Sequence, residues 1–469
     1  MSFNKRMLST GALPFVNSEN FKVITWAGDG VDGREIEVGF QPDFVWFKAR
    51  NQSYDHNASD STRGTGKQVR PNRDIAEVSA TDLIKSFTST GFTVGTGGDA
   101  NVSGNNYVAW CWKANGGTTS SNSDGSITST VQANTDAGFS IVTYTGTGSN
   151  ASVGHGLGKA PKWILVKMRS SAKNWVVYHA GNTNAPETEF LTLNSNVATE
   201  DYNMWQDTAP TSSVFTISTN DQPNTSGETY VAYCFADIDA FSKFGSYTGN
   251  GSDNGPIVET GFEPAFIMFK RTDSSDNWII LDNARSTTNL RANALFANLT
   301  QTELTSGNEV DFLSNGFQIK TDDNSMNNSS GTYIYMAFAA DPDEEAPTLT
   351  SSFNIETYTG NGGNPRSLSG FGLSPSFLWI KKRNSADDNV LFDSVRGPQK
   401  ELISNSTAAE ATKSGDAIIS FDTDGFTTGN NGAINANGDD YVSWAWKADD
   451  NEPTYNTNGS INSIVSANA

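Results

Sequence analysis

The apolar residues of the chain fall in short runs, and the spacing inside those runs is that of β-strands. Phe44-Val-Trp-Phe-Lys48 is apolar at four successive positions, the pattern of a strand covered on both faces. Trp163–Lys167, Phe266–Lys270 and Phe377–Lys381 repeat it, each after a Gly-x-x-Pro turn. Each run closes on a lysine, expected where the strand emerges into water. A second pattern, Tyr107–Trp112, returns as Tyr230–Phe235, Tyr333–Phe338 and Tyr441–Trp446. Its alternating large side chains predict core packing in preference to an exposed sugar-stacking face. Gly, Asn, Asp and Ser fill the intervals, as turns require. Arg73–Phe87 and Ser406–Ser414 are the exceptions, each expected to hold a short helix crossing the end of a sandwich.

These strands belong to a unit written four times. An aromatic residue followed by Gly-x-Gly opens each copy, at Trp26-Ala-Gly28, Tyr144-Thr-Gly146, Tyr247-Thr-Gly249 and Tyr358-Thr-Gly360. An Asp-x-x-Arg unit follows in three copies, Asp60/Arg63, Asp282/Arg285 and Asp393/Arg396, whereas the second copy has Tyr178-His179-Ala180-Gly181. Units of about 100 residues are too long for a solenoid repeat and match whole domains. The expected fold is therefore all-β, as four tandem antiparallel β-sandwich domains of the jelly-roll kind. The divisions are a leader at 1–20 and repeats at 21–138, 139–240, 241–352 and 353–469. Linkers close the first repeat (Asn115–Gly138), the second ("DID", Asp237–Asp239) and the third (Asp341–Ser352). The final stretch copies the first linker, so the chain is expected either to continue into further repeats or to end on a locally paired strand.

Composition narrows the function. With 469 residues and 27 Phe, 13 Tyr and 11 Trp, the chain can build several dense cores although only 36% is hydrophobic. A net charge of −21 opposes nucleic-acid binding, which needs a basic footprint. No run is long and apolar enough to span a bilayer or act as a secretion signal, so membrane insertion is not expected. Cys111 and Cys234 hold the same slot in different copies, which makes them small buried residues and argues against a disulfide.

Enzyme signatures are thin. His56, His155 and His179 show no metal-binding spacing. Arg63–Gln68 (RGTGKQ) lacks the spacing of a phosphate loop and reads as a turn. The Asp-x-x-Arg units read as ion pairs fixing a loop, with a carbohydrate-binding pair as the alternative. Asp/Asn-rich loops at Ala27–Gly33, Thr321–Gly331 and Asp422–Gly425 offer oxygen ligands for calcium, but tight-turn chemistry accounts for the same residues. No residue is singled out as catalytic, cofactor-binding or metal-binding, no cofactor is expected, and the ligand-binding residues are unknown.

Taken in order, Tyr358-Thr-Gly-Asn-Gly362, Gly372–Lys381, Asp393–Gly397, "LISNSTAAEAT", "FDTDGFTTG" and "YVSWAWKA" resemble a repeat domain of tail and tail-fibre-like structural proteins of marine bacteriophages, cyanophages among them. The resemblance is closest over Phe353–Ala448, good over Phe21–Ala114 and weaker in the two middle copies. It implies a non-enzymatic virion protein, assembled in the host cytoplasm: a tail fibre or tail appendage held to other virion proteins by residues 1–20. It also implies host-surface contact, with a glycan as the possible partner, and a homo-oligomer with a trimer favoured. A capsid-bound head fibre or decoration protein is the alternative within virions. A carbohydrate-binding or depolymerase module, and a bacterial adhesin, are alternatives from other classes.

Overall fold

The computed structural model describes residues 19–339 and 352–448, with the backbone of residues 454–456 and 463–465. Most of the leader and of the third linker lies outside the described residues. The fold is all-β, the paired strands named below are antiparallel, and the chain divides into two compact units, Met1–Asp343 and Glu344–Ala469. The first contains three of the repeats and the second contains the fourth.

Four strands recur in one register. In the first repeat, an opening strand (Phe21–Ala27) pairs with a closing strand (Asn106–Trp112), Phe21 opposite Trp112. A middle strand (Phe44–Ala49) pairs with the other edge of the closing strand, Phe44 opposite Trp112. Next to it runs the strand carrying the aspartate (Asn57–Asp60), Asp60 opposite Phe44. The other copies reproduce these pairings at Phe139/Phe235/Trp163/His179, at Ser242/Phe338/Phe266/Asp282 and at Phe353/Trp446/Phe377/Asp393. A smaller sheet lies over one face of these strands, for example Arg34–Glu37, Gly91–Val94 and Ile84–Phe87 in the first repeat. The residues between the two sheets form each repeat's own core.

The turn chemistry shared by the four opening motifs has a structural cause. Each repeat carries a four-residue helical turn ending in a buried asparagine: Asn101, Asn224, Asn327 and Asn435. The first glycine of the motif lies against the carbonyl of the residue after that asparagine. A Cβ on Gly28, Gly146, Gly249 or Gly360 would stand 2.1, 2.3, 2.2 or 2.0 Å from that oxygen, so only glycine fits. The motif's aromatic ring stacks on the first tyrosine of the closing strand, with centroids 4.9 Å apart for Tyr144–Tyr230 and for Tyr247–Tyr333. It also donates to a carbonyl of the helical turn: Trp26 Nε1 to Ala100 O, and the hydroxyls of Tyr144, Tyr247 and Tyr358 to Pro223 O, Met326 O and Ile434 O.

Three local expectations are corrected. Lys48, Lys167 and Lys270 do not emerge into water; they are fully buried, and each ammonium donates to backbone carbonyls, as Lys48 does to Ala49 and Gln52. Arg73–Phe87 and Ser406–Ser414 contain no helix. Val78–Ser79 and Ile84–Phe87 are strands, and Ala411–Thr412 pairs with Lys400–Glu401, because the backbone there finds partners on neighbouring strands. The stretch Asn115–Gly138 is not a free linker. Its strands Ser120–Asn122 and Ser129–Asn134 extend the main sheet of the second repeat to eight strands. Towards the end of the chain, Thr454–Asn456 and Ser463–Val465 pair antiparallel in the same register as those two strands.

Candidate interaction face

In the first three repeats the middle and closing strands are buried on both faces. One face packs into the repeat's own core. The other faces packs together into one shared cluster, which takes residues from all three repeats. At its centre the last aromatic residues of the three closing strands form a triangle: Trp112–Phe338 at 5.7 Å, Phe235–Phe338 at 6.0 Å and Trp112–Phe235 at 6.1 Å. Burial of so many aromatic side chains, each worth about 1.5–3 kcal/mol against exposure, fuses the three repeats into one body.

Polar contacts run round this cluster in one direction. Trp110 of the first repeat donates through Nε1 to Asp282 of the third at 3.0 Å. Tyr233 of the second repeat, in the same slot as Trp110, donates its hydroxyl to Asp60 of the first at 2.7 Å. Each aspartate also grips its own Arg-x-x partner, Asp60–Arg63 at 2.5 Å and Asp282–Arg285 at 2.6 Å, with all four side chains buried. The guanidinium of Arg63 donates to the Tyr233 hydroxyl, and that of Arg285 lies 5.7 Å from the centre of the Trp110 ring. The third joint differs on both sides at once. Met336 occupies the donor slot and His179 the acceptor slot, and the histidine instead bonds the carbonyl of Tyr335.

A second band of contacts follows the same direction. Glu77 binds Arg63 of its own repeat and Arg169 of the second, while its N–H donates to Arg169 O. Glu303 binds Arg285 and reaches Arg50 of the first repeat, again with its N–H on Arg50 O. At the third joint only the backbone bond remains, from Thr199 N to Thr272 O. Burial opposes ionisation of Glu77, but the Arg169 and Arg63 guanidiniums outweigh it and hold the carboxyl below its ordinary range.

The fourth repeat has the same strands and a different burial pattern. Along its closing strand Tyr441, Ser443 and Ala445 are buried, whereas Val442, Trp444 and Trp446 are only half-buried. Trp379 on the middle strand is 37% exposed and Ile355 on the opening strand 48%. These residues stand in register with the shared-cluster positions of the other repeats. Asp393 and Arg396 form the expected ion pair at 2.6 Å, and Arg396 also reaches Glu410.

The Asp-x-x-Arg units thus fix their loops as expected, and two of them also serve as joints between repeats, a role that only the folded chain reveals. His56, His155 and His179 are buried in separate places: His56 accepts from Trp46 Nε1, His155 bonds Thr211 O, and His179 lies in the third joint. Burial depresses all three imidazoles, His179 to about 4. Arg63–Gln68 is a turn with left-handed glycines at 64 and 66, leading into a short strand. The loop residues considered for calcium make turn hydrogen bonds: Asp29 accepts from Val31 N, Asp323 from Ser325 N, and Asp422 from Ser420 and Thr427. Cys111 and Cys234 are buried free thiols. Among the described residues no three His, Cys, Asp or Glu side chains converge as a metal site, and no helix is long and apolar enough to cross a membrane. A polar cleft of about 520 Å³ lies between the second and third repeats, lined by Asn182, Thr183, Ser246, Thr272, Asp273 and Tyr333.

A family described as Domain of unknown function (DUF7483) matches residues 16–342 and again 349–469. The first match spans the three fused repeats and the second spans the fourth. Comparison with curated proteins and with solved structures returns no match.

Proposed function

We propose that this chain, which belongs to the DUF7483 family of unknown function, is a non-enzymatic structural protein of a bacteriophage particle, a tail fibre or tail appendage. The observation that carries this reading is the use to which the repeated residues are put. The repeated Asp-x-x-Arg pairs, the closing-strand aromatics of the first three repeats and the buried asparagines serve cohesion within or between repeats. A chain that spends its recurrent polar residues on joints is built to hold shape, as a particle component must.

In this reading each repeat is a β-sandwich of the jelly-roll kind, four of them stand in tandem, and residues 1–20 attach the protein to other virion proteins. The chain is made and assembled in the host cytoplasm. Host-surface contact falls to exposed ground such as the cleft at Thr183, Asn184 and Asp273, whose hydroxyl, amide and carboxylate groups suit sugar hydroxyls. The test is electron microscopy of intact particles decorated with an antibody to this chain. Label along the tail supports the reading. Label on the capsid lattice replaces it with a head fibre or decoration protein, and no label on any particle rejects it.

A further inference from the structure

The apolar face of the fourth repeat is the same face that the other three repeats bury against one another. We infer that three copies of this chain associate through their fourth repeats, closing a ring that reproduces between chains the joint found within residues 19–339. The inference rests on the geometry of the joints and not on where the protein resides.

The joints are heterologous: a donor slot on one repeat meets an acceptor slot on the next, and the rotation closes after three. Inside the chain, donor and acceptor are matched across each joint and not within each repeat. The second repeat keeps its donor, Tyr233, but has His179 for an acceptor. The third keeps its acceptor, Asp282, but has Met336 for a donor. The two departures meet at the same joint, so a repeat with a fixed neighbour retains only the half that the neighbour needs.

A ring of identical copies has the opposite requirement, since every copy must carry both halves. The fourth repeat does. Trp444 stands in the donor slot, opposite Trp379 as Trp110 is opposite Trp46. Asp393, gripped by Arg396, stands in the acceptor slot. The outer band is complete as well: Glu410 is already on Arg396, as Glu77 is on Arg63, and the exposed Arg383 occupies the position of Arg50 and Arg169. Phe353, Ile355, Phe377, Trp379 and Trp446 supply the apolar centre, with Trp446 in the place of the Trp112–Phe235–Phe338 triangle. An apolar patch of this kind on a stable surface marks an interaction site.

The test uses the full chain. Sedimentation equilibrium is expected to give three times the 50.3 kDa chain mass. Trp379→Glu is expected to reduce it to one chain while the thermal transition of the three-repeat unit stays in place. The double variant Asp393→Cys/Trp444→Cys places thiols on opposite sides of the joint. Within one chain the two positions lie two strands apart, about 10 Å, beyond disulfide reach. Oxidation is therefore expected to yield a covalent ladder that ends at three chains. A monomeric wild type, a ladder that ends at two, or a trimer untouched by Trp379→Glu would overturn the inference. A monomer would point instead to repeats on another polypeptide as the cover for this face.

Discussion

Trp110 and Asp282 are bonded across 172 positions of sequence, indole Nε1 to carboxylate oxygen at 3.0 Å, in the interior of the first unit. The contact joins the first repeat to the third, and the Arg285 guanidinium lies over the same indole. Trp110→Phe keeps most of the ring and removes the donor. A loss of about 1–3 kcal/mol is expected, because a buried acceptor then loses one partner. Asp282→Asn in the same background should show coupling of about 0.5–3 kcal/mol, measured as a double-mutant cycle by urea unfolding. Additive losses would mean that the joint carries no energy of its own.

The third joint predicts the reverse experiment. His179→Asp restores the residue type found at this position in the other repeats, yet it should destabilise strongly. The new carboxylate would face the Tyr335 carbonyl, and position 182 holds Asn182 where the other repeats have arginine. An unpaired buried charge costs about 3–5 kcal/mol. The drop would be read from the thermal transition of the first unit, and an unchanged midpoint would contradict the assignment of this joint.

The four-fold repeat was legible in the sequence because aromatic and glycine spacings are local, and so was the pairing of Asp with Arg three residues later. What was not legible was that the alternate face of Tyr107–Trp112 is buried against two other repeats. Its residues are large and apolar in all four copies, so composition does not distinguish the covered face of the first repeat from the open face of the fourth. The lysines after the middle strands misled for the same reason. A terminal lysine reads as an exit to solvent, and only the fold shows carbonyls gathered around its ammonium. The buried asparagine six residues before each closing-strand tyrosine carried a signal, Asn101/Tyr107 through Asn435/Tyr441, but turn-rich sequence surrounds it.

That asparagine supports a third prediction. Asn327 accepts from Asn250 N and donates to Ser252 O and Thr321 O, clamping the loop after the opening motif. Asn327→Asp preserves shape and removes the donor. A loss of about 2–5 kcal/mol is expected, since two carbonyls lose their partner and a carboxylate is placed against them. Asn435→Asp should act alike in the second unit, where Gly363 O and Gly429 O are the acceptors. Hydrogen exchange at the loop amides would report the loosening, and unchanged protection would show that the clamp is dispensable.

The buried lysines set the pH response. Desolvation lowers Lys48, Lys167 and Lys270 from 10.5 to about 8, against the weaker pull of nearby aspartates. Between about pH 8 and 10.5 the unfolded chain therefore binds more protons at these sites than the folded one, and stability rises with pH across that window. Tyrosines work in the opposite sense. Burial raises Tyr144, Tyr233 and Tyr247 well above 10, so their contribution falls once unfolded tyrosines ionise, above about pH 10. The first unit should thus be most stable on the alkaline side of neutrality, near pH 9–10. Lys167→Met removes one of the three charges and should flatten the rise between pH 7.5 and 9.5 in a series of thermal melts. An equal slope in the variant would show that Lys167 finds as much stabilisation from its carbonyls as it loses by leaving water.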